Sequence, residues 1–139
     1  MAYKKLFIDS DILLDLLLER EPYVHFTKYL LSEYSKYGLV LTTSALVMAN
    51  INYVITGRIG KAQAKKSLSA LLEILDVLPF EAEAFKSALD SKFGDIEDGI
   101  QHFIALKNNC DVIITRNLKD YKHSALPVLT AEQLLKTII

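Results

Sequence analysis

Short apolar runs alternate with longer stretches of helical periodicity along the chain. Leu6-Phe7-Ile8 is an apolar run bounded by charge, the pattern of a buried parallel strand, and it ends at Asp9-Ser10-Asp11. Ser10 is placed to cap the next element. Ile12, Leu13, Leu16 and Leu17 then recur at helical spacing, and a second helical pattern runs from about Tyr23, just after Pro22, to Tyr37, where Gly38 ends it. Leu39-Val40-Leu41 reads as the second strand. Thr42-Thr43-Ser44 offer caps for a helix through Ala45, Val47, Ile51 and Val54 to about Ile55, punctuated by Gly57 and Gly60. Lys61 to Leu72 has helical composition, Ile74 to Leu78 reads as a strand stopped by Pro79, and Glu81 to about Lys92 is another helix, broken by Gly94. Ile96, Ile100, Phe103, Ile104 and Leu106 mark a helix from about Asp95 to Asn108. Val112-Ile113-Ile114 is a buried strand, and a last strand near Val128-Leu129 precedes a short helix from Ala131.

This alternation predicts an α/β fold: a parallel sheet of about five strands, right-handed crossovers and helices on both faces. No internal repeat is visible. In such sheets binding sites lie beyond the carboxyl ends of the strands. The positions to inspect are therefore Asp9-Ser10-Asp11, Thr42-Thr43-Ser44, Phe80-Glu81 and Thr115-Arg116-Asn117, with the first turns of the helices after them.

Composition narrows the class. The 139 residues suit one domain, residues 1–139, and 51% hydrophobic with 24% charged residues excludes disorder. Five Gly and three Pro exclude collagen-like and low-complexity chains. A single cysteine, Cys110, permits no internal disulfide, and Met1-Ala2-Tyr3-Lys4-Lys5 leads into a strand instead of a signal-peptide core, so a cytoplasmic location is expected. Apolar runs such as Leu16-Leu17-Leu18 fall far below the roughly 18 residues that span a bilayer, so no membrane is expected.

Sixteen Lys+Arg against seventeen Asp+Glu leave a net charge of −1, which points to no partner as a total. The distribution is more telling. Acids concentrate in Asp9 to Glu21 and in Asp95 to Asp98, while the stretch from Tyr34 to Leu72 has none and carries Lys36, Arg58, Lys61, Lys65 and Lys66. A basic segment beside an acidic pocket suits a nucleic-acid backbone; a solvated helix face is the competing explanation.

Two acidic clusters stand out: Asp9 with Asp11 after the first strand, and Asp95, Glu97 and Asp98 in the first turn of the helix that leads into Val112-Ile113-Ile114. The polar group Thr115-Arg116-Asn117-Leu118-Lys119-Asp120 comes after the fourth strand. Converging carboxylates repel unless they share a cation, and hard oxygen ligands suit Mg²⁺ or Mn²⁺. Taken alone, Asp95, Glu97 and Asp98 are also what a helix N-terminus favours through its dipole. Asp9 is different, because an Asp at the inner end of a central strand is partly buried and needs a partner. His25, His102 and His123 have no metal-ligand spacing, and His102 reads as a helix-surface histidine. Leu13, Leu14, Leu17 and Leu18, with Leu30 and Leu31, read first as core and second as a partner surface.

On Phe7-Ile8-Asp9-Ser10-Asp11-Ile12-Leu13-Leu14, Asp98-Gly99-Ile100-Gln101 and Ile113-Ile114-Thr115-Arg116-Asn117-Leu118-Lys119-Asp120-Tyr121, the chain resembles the PIN-domain nucleases, including the VapC-like toxin ribonucleases. The resemblance spans nearly the whole sequence. It implies a three-layer α/β/α sandwich around a mainly parallel sheet, and an acidic pocket that binds Mg²⁺ or Mn²⁺. It further implies hydrolysis of RNA phosphodiesters, RNA and an antitoxin protein as partners, and a homodimer. Carried over by position, Asp9 corresponds to the first acid, Asp98 to the third, and Asn117 with Asp120 to the fourth. Metal ligation is expected from Asp9 and Asp98 with help from Asp95 or Asp120, and Asp98 is the carboxylate expected to order or deprotonate the water. Thr115 and Asn117 are expected to orient the water or phosphate. Arg116 is expected either to neutralise the phosphate or to pair with a neighbouring acid, and Asp11 to support the first acid. The second acid is absent, since no Asp or Glu occurs between Glu33 and Glu73; Asn50 takes its place, and Asp95 and Glu97 are the candidates to compensate.

Two competing readings arise from the same residues. Neutral Asn50 and Asn117 suit a catalytically weak PIN-like module that binds RNA or protein. Asp9-Ser10-Asp11 after an apolar strand also resembles the nucleophile motif of haloacid-dehalogenase-like phosphatases, but Ile12-Leu13 stand where that family has a Gly-Thr turn.

Overall fold

The computed structural model describes residues 3–139; Met1 and Ala2 of the N-terminal stretch considered above lie outside the described residues. Five strands, β1 (Lys5–Ile8), β2 (Val40–Ser44), β3 (Asp76–Leu78), β4 (Val112–Ile114) and β5 (Val128–Leu129), form one sheet in the order β3-β2-β1-β4-β5. Every pairing is parallel. The helices are α1 (Ser10–Leu17), α2 (Tyr23–Glu33), α3 (Ala45–Ile59), α4 (Lys61–Leu71), α5 (Ala82–Leu89), α6 (Ile96–Lys107) and α7 (Ala131–Ile138). The chain steps outward from β1 through β2 to β3, then returns across the sheet to β4. Right-handed crossovers in opposite directions put their helices on opposite faces. Helices α1 to α4 therefore cover one face, where α7 joins them against α2, and α5 with α6 cover the other. This is the α/β/α sandwich that the alternation predicted.

Strands β1 and β4 lie at the centre of the sheet, and Leu6, Phe7, Ile8, Val112, Ile113 and Ile114 are completely buried. Each contributes about 1.5–3 kcal/mol of burial. The two strands end together: the Asp9 amide donates to the Ile114 carbonyl at 3.0 Å, and the Thr115 amide donates to the Leu129 carbonyl at 3.0 Å. Two stretches more than a hundred residues apart thus deliver Asp9 and Thr115 to one point. Leu13, Leu30 and Leu31 are buried, so core packing accounts for them.

Several local expectations need correction. Thr42 and Thr43 belong to β2 and not to the loop beyond it. Their hydroxyls are buried and donate to the Leu6 carbonyl at 2.8 Å and the Ile8 carbonyl at 2.7 Å, satisfied by the neighbouring strand. Ser44 alone caps α3, accepting from the Val47 amide at 2.9 Å. Asp9, not Ser10, caps α1. Helix α3 continues through Gly57 to Ile59, and the chain turns at Gly60, whose φ of +83° suits glycine. Tyr34–Tyr37 tightens into a 3-10 turn after α2, and α5 ends at Leu89.

His102 is buried, not a surface residue. Its ring sits against Phe93 and Phe103, with centroids at 4.9 and 4.6 Å, and Nε2 accepts from the Ala125 amide at 3.0 Å. Burial lowers its pKa, so the ring is a neutral packing group. No helix of the described residues is long and apolar enough to cross a membrane.

Candidate active site

The carboxyl edge of the sheet carries the acids. Asp9 follows β1 directly and is 4% exposed. Its Oδ1 accepts from the Ser10 amide at 2.8 Å, and its Oδ2 accepts from the Thr115 hydroxyl at 2.9 Å and the Tyr121 hydroxyl at 3.1 Å. Burial and the nearby Asp11 push its pKa up to about 6, although these three donors oppose the shift. Asp11, on the first turn of α1, accepts from the Arg116 amide at 2.8 Å; burial raises its pKa as well.

Asp98 enters from α6, on the opposite face. Gly99 lets that helix lie close to α5, since a Cβ there would meet the Ala88 Cβ at 3.0 Å. Asp98 is half-buried. Burial first, then the charges of Asp9, Asp95, Asp120 and Glu97, push its pKa up to about 7. The structure therefore brings Asp9, Asp98, Asp95, Glu97 and Asp120 into one electrostatic field. Asp95 also caps α6, its Oδ1 accepting from the Asp98 amide at 3.1 Å.

The remaining expected residues divide. The Thr115 hydroxyl is buried, donates to Asp9, and accepts from the Asn117 amide at 3.1 Å, so it organises the acids and the loop behind them. Asp120 lies in the 3-10 turn Leu118–Tyr121, and its amide donates to the Asn117 carbonyl at 3.1 Å. Asn117 is exposed, and its side chain makes no hydrogen bond among the described residues. Arg116 pairs with an acid instead of standing free for a phosphate: it binds Asp15 through Nε at 2.8 Å and Nη2 at 2.9 Å. Asn50, on α3, donates from Nδ2 to Glu97 Oε1 at 2.5 Å.

Two residues of the site were given no role from sequence. Tyr121 sits in a 3-10 turn, where no helical or strand period marks it. Asp15 carried a readable signal: it lies on α1 between the apolar positions Ile12 and Leu16, and an acid on that face needs a partner.

The donor set fits a hard divalent cation. The acids are oxygen ligands from several elements, their mutual repulsion raises proton affinity, and no basic side chain among the described residues pairs with Asp9 or Asp98. No three of them stand close enough to form a closed ligand cage among the described residues. Such an open set could hold a divalent ion through one or two carboxylates, with water completing its shell.

Comparisons with known proteins give the family and the fold. The PIN domain family model matches residues 5–119. Ribonuclease VapC1 of Aquifex aeolicus is 26% identical over 138 residues, covering 96% of this chain and 94% of that protein. The solved structure of VapBC-1 from nontypeable Haemophilus influenzae superposes with a TM-score of 0.69 at 18% identity, covering 92% of this chain and 98% of that one. VapC20 of Mycobacterium tuberculosis, described as a sarcin-ricin loop cleaving toxin, superposes with a TM-score of 0.66 at 15% identity, covering 84% and 95%.

Proposed function

The chain belongs to the PIN-domain family, and from that membership and its acidic cleft we propose that it is a metal-dependent ribonuclease, the toxin of a toxin–antitoxin pair. The observation that carries the reading is the approach of Asp98, in the first turn of α6, to Asp9, at the end of the central strand β1, close enough for the Asp9 charge to raise the Asp98 pKa. The catalytic set is Asp9, Asp98 and Asp120, with Thr115 and Tyr121 orienting Asp9; Asp95 caps the helix that presents Asp98. The proposed unit is one domain over residues 1–139, acting in the cytoplasm on RNA, with an antitoxin and a second copy as protein partners. Family membership displaces the phosphatase reading.

When bound, Mg²⁺ or Mn²⁺ supplies a Lewis acid for a phosphate oxygen and lowers the pKa of a coordinated water. Asp9 and Asp98 would hold the ion. Asp98 is the carboxylate that would order the attacking water or accept its proton. Thr115 and Tyr121 keep the Asp9 carboxylate from turning, which holds it in one orientation for its ligand. Lys36, Arg58, Lys61, Lys65 and Lys66 are exposed, and none has an acidic partner within ion-pair distance among the described residues. Lys36 precedes β2 at the amino edge of the parallel sheet, and Arg58 and Lys61 lie at the far end of α3, so the basic stretch is not gathered beside the acids at the carboxyl edge.

The test is RNA cleavage by the purified chain with Mn²⁺ or Mg²⁺. Cleavage is expected with either ion and is expected to fall at least about 100-fold in Asp9→Asn and Asp98→Asn. RNA binding without cleavage under both ions would favour the catalytically weak module, the reading that neutral Asn50 and Asn117 support.

A further inference from the structure

Helix α3 supplies no carboxylate to the cleft, yet it reaches one. The Asn50 amide donates to Glu97 Oε1 across 47 positions of sequence, joining α3 to the first turn of α6. An exposed glutamate in a first turn ordinarily has freedom to point into solvent. This one is turned toward α3 and has no cationic partner among the described residues. A second link aligns the same elements. The Ser44 hydroxyl, which caps α3, donates to Gln101 Oε1, and Gln101 lies one helical turn beyond Glu97. The buried Ser44–Gln101 bond thus sets the register that lets Asn50 meet Glu97. Ser10, Leu14, Asn50, Tyr53 and Glu97 line one groove that begins one residue beyond Asp9, and Glu97 shares the first turn of α6 with Asp98. Asp95 is committed to capping α6, whereas Glu97 Oε2 has no hydrogen bond among the described residues.

We propose that Glu97 supplies the negative charge that α3 lacks, and that Asn50 is the positioning residue that turns Glu97 toward the metal-binding cleft. This rests on the metal-dependent reading above. The acid stands on α6 and the amide on α3, where Asn50 serves as the hydrogen-bond donor that holds it. In the metal-free protein Asn50→Asp or Asn50→Glu alone would set two carboxylates against each other, so the charge is returned to α3 together with its removal from position 97.

The experiment is calorimetric titration of the full chain with Mn²⁺ alone, without RNA, on wild type, Glu97→Gln, Asn50→Ala, the double variant Asn50→Glu/Glu97→Gln, and Asp98→Asn as control. Glu97→Gln is expected to weaken Mn²⁺ binding about tenfold and Asn50→Ala about three- to tenfold, the scale of supporting residues around a metal. The double variant is expected to return to within about threefold of wild type, because it moves the charge back to α3. Far-UV circular dichroism and the Tm check that each variant folds. The proposal is overturned if Glu97→Gln binds as wild type while Asp98→Asn does not bind, or if the double variant binds no better than Glu97→Gln. A wild-type chain that binds no Mn²⁺ overturns this proposal together with the metal-dependent reading.

Discussion

Arg116 grips Asp15 side-on, through hydrogen bonds of 2.8 Å from Nε and 2.9 Å from Nη2, and its guanidinium lies 3.9 Å from the centroid of the Tyr23 ring. Asp15 is wholly buried and accepts from Arg20 Nε as well, at 2.8 Å. The arginine that follows the fourth strand is thereby a fastener between the loop and α1. Its backbone amide, held by Asp11, places the same loop from a second point.

Removing Arg116 leaves a buried carboxylate with one of its two partners. Arg116→Ala is expected to destabilise the fold by about 2–3 kcal/mol, below the full cost of an orphaned buried charge because Arg20 remains. Arg116→Lys keeps the charge but not the paired geometry and is expected to lose about half as much. Urea unfolding measures both; a midpoint unchanged in Arg116→Ala contradicts the fastening role.

The metal-free protein is expected to lose stability as pH rises. Asp98 holds its proton up to about pH 7 when folded and releases it near pH 4 when unfolded. Between those values the folded state binds more protons, so unfolding becomes easier with increasing pH and the full penalty is present above pH 7. Asp98→Asn removes it. Discounted for a half-exposed group, the variant should be about 1 kcal/mol more stable than wild type at pH 8 and equal to it at pH 4. Thermal melts at the two pH values in EDTA decide the matter, and a variant less stable than wild type at pH 8 speaks against it.

The same protons make metal binding pH-dependent. An ion that needs Asp9 and Asp98 ionised competes with protons held at pKa values of about 6 and 7, so Mn²⁺ affinity is expected to rise steeply from pH 5.5 to 7.5 and then flatten. Titrations at pH 6.5 in two buffers of different ionisation enthalpy should differ in apparent heat, reporting about one proton released per ion. Equal heats in both buffers would mean that neither acid is displaced from its proton.

Periodicity made much of the fold legible in advance. The apolar runs at Leu6–Ile8 and Val112–Ile114 are too short and too apolar for anything but central parallel strands, and they put Asp9 and Thr115 at the site. Asp98 was legible from its motif. The corrections share a physical origin. Thr42 and Thr43 look like loop residues because hydroxyls are polar, but each is satisfied by a β1 carbonyl that only pairing reveals. His102 is polar in sequence yet packs between two aromatic rings. The Asn50–Glu97 contact depends on how two helices from opposite layers meet over the sheet edge, which no local pattern encodes.

Tyr121 offers the sharpest separation of structural from functional effects. Its ring is buried and its hydroxyl donates to Asp9 Oδ2, the oxygen that also accepts from Thr115. Tyr121→Phe keeps the ring, so packing against Phe93, whose centroid is 6.1 Å away, is preserved. What disappears is one of three donors that favour the ionised carboxylate. The Asp9 pKa should therefore climb further above 6, and the rise of Mn²⁺ affinity with pH should move upward by about half to one unit. Stability should depend on pH in the same sense. The lost bond is worth about 1–2 kcal/mol to a charged acceptor, so the variant should be weaker than wild type at pH 8. At pH 5, where Asp9 is protonated, the difference should shrink to a fraction of that. A loss of stability equal at both pH values would assign Tyr121 to packing alone, while a displaced metal-binding profile would identify it as one of the residues that favour the charged Asp9.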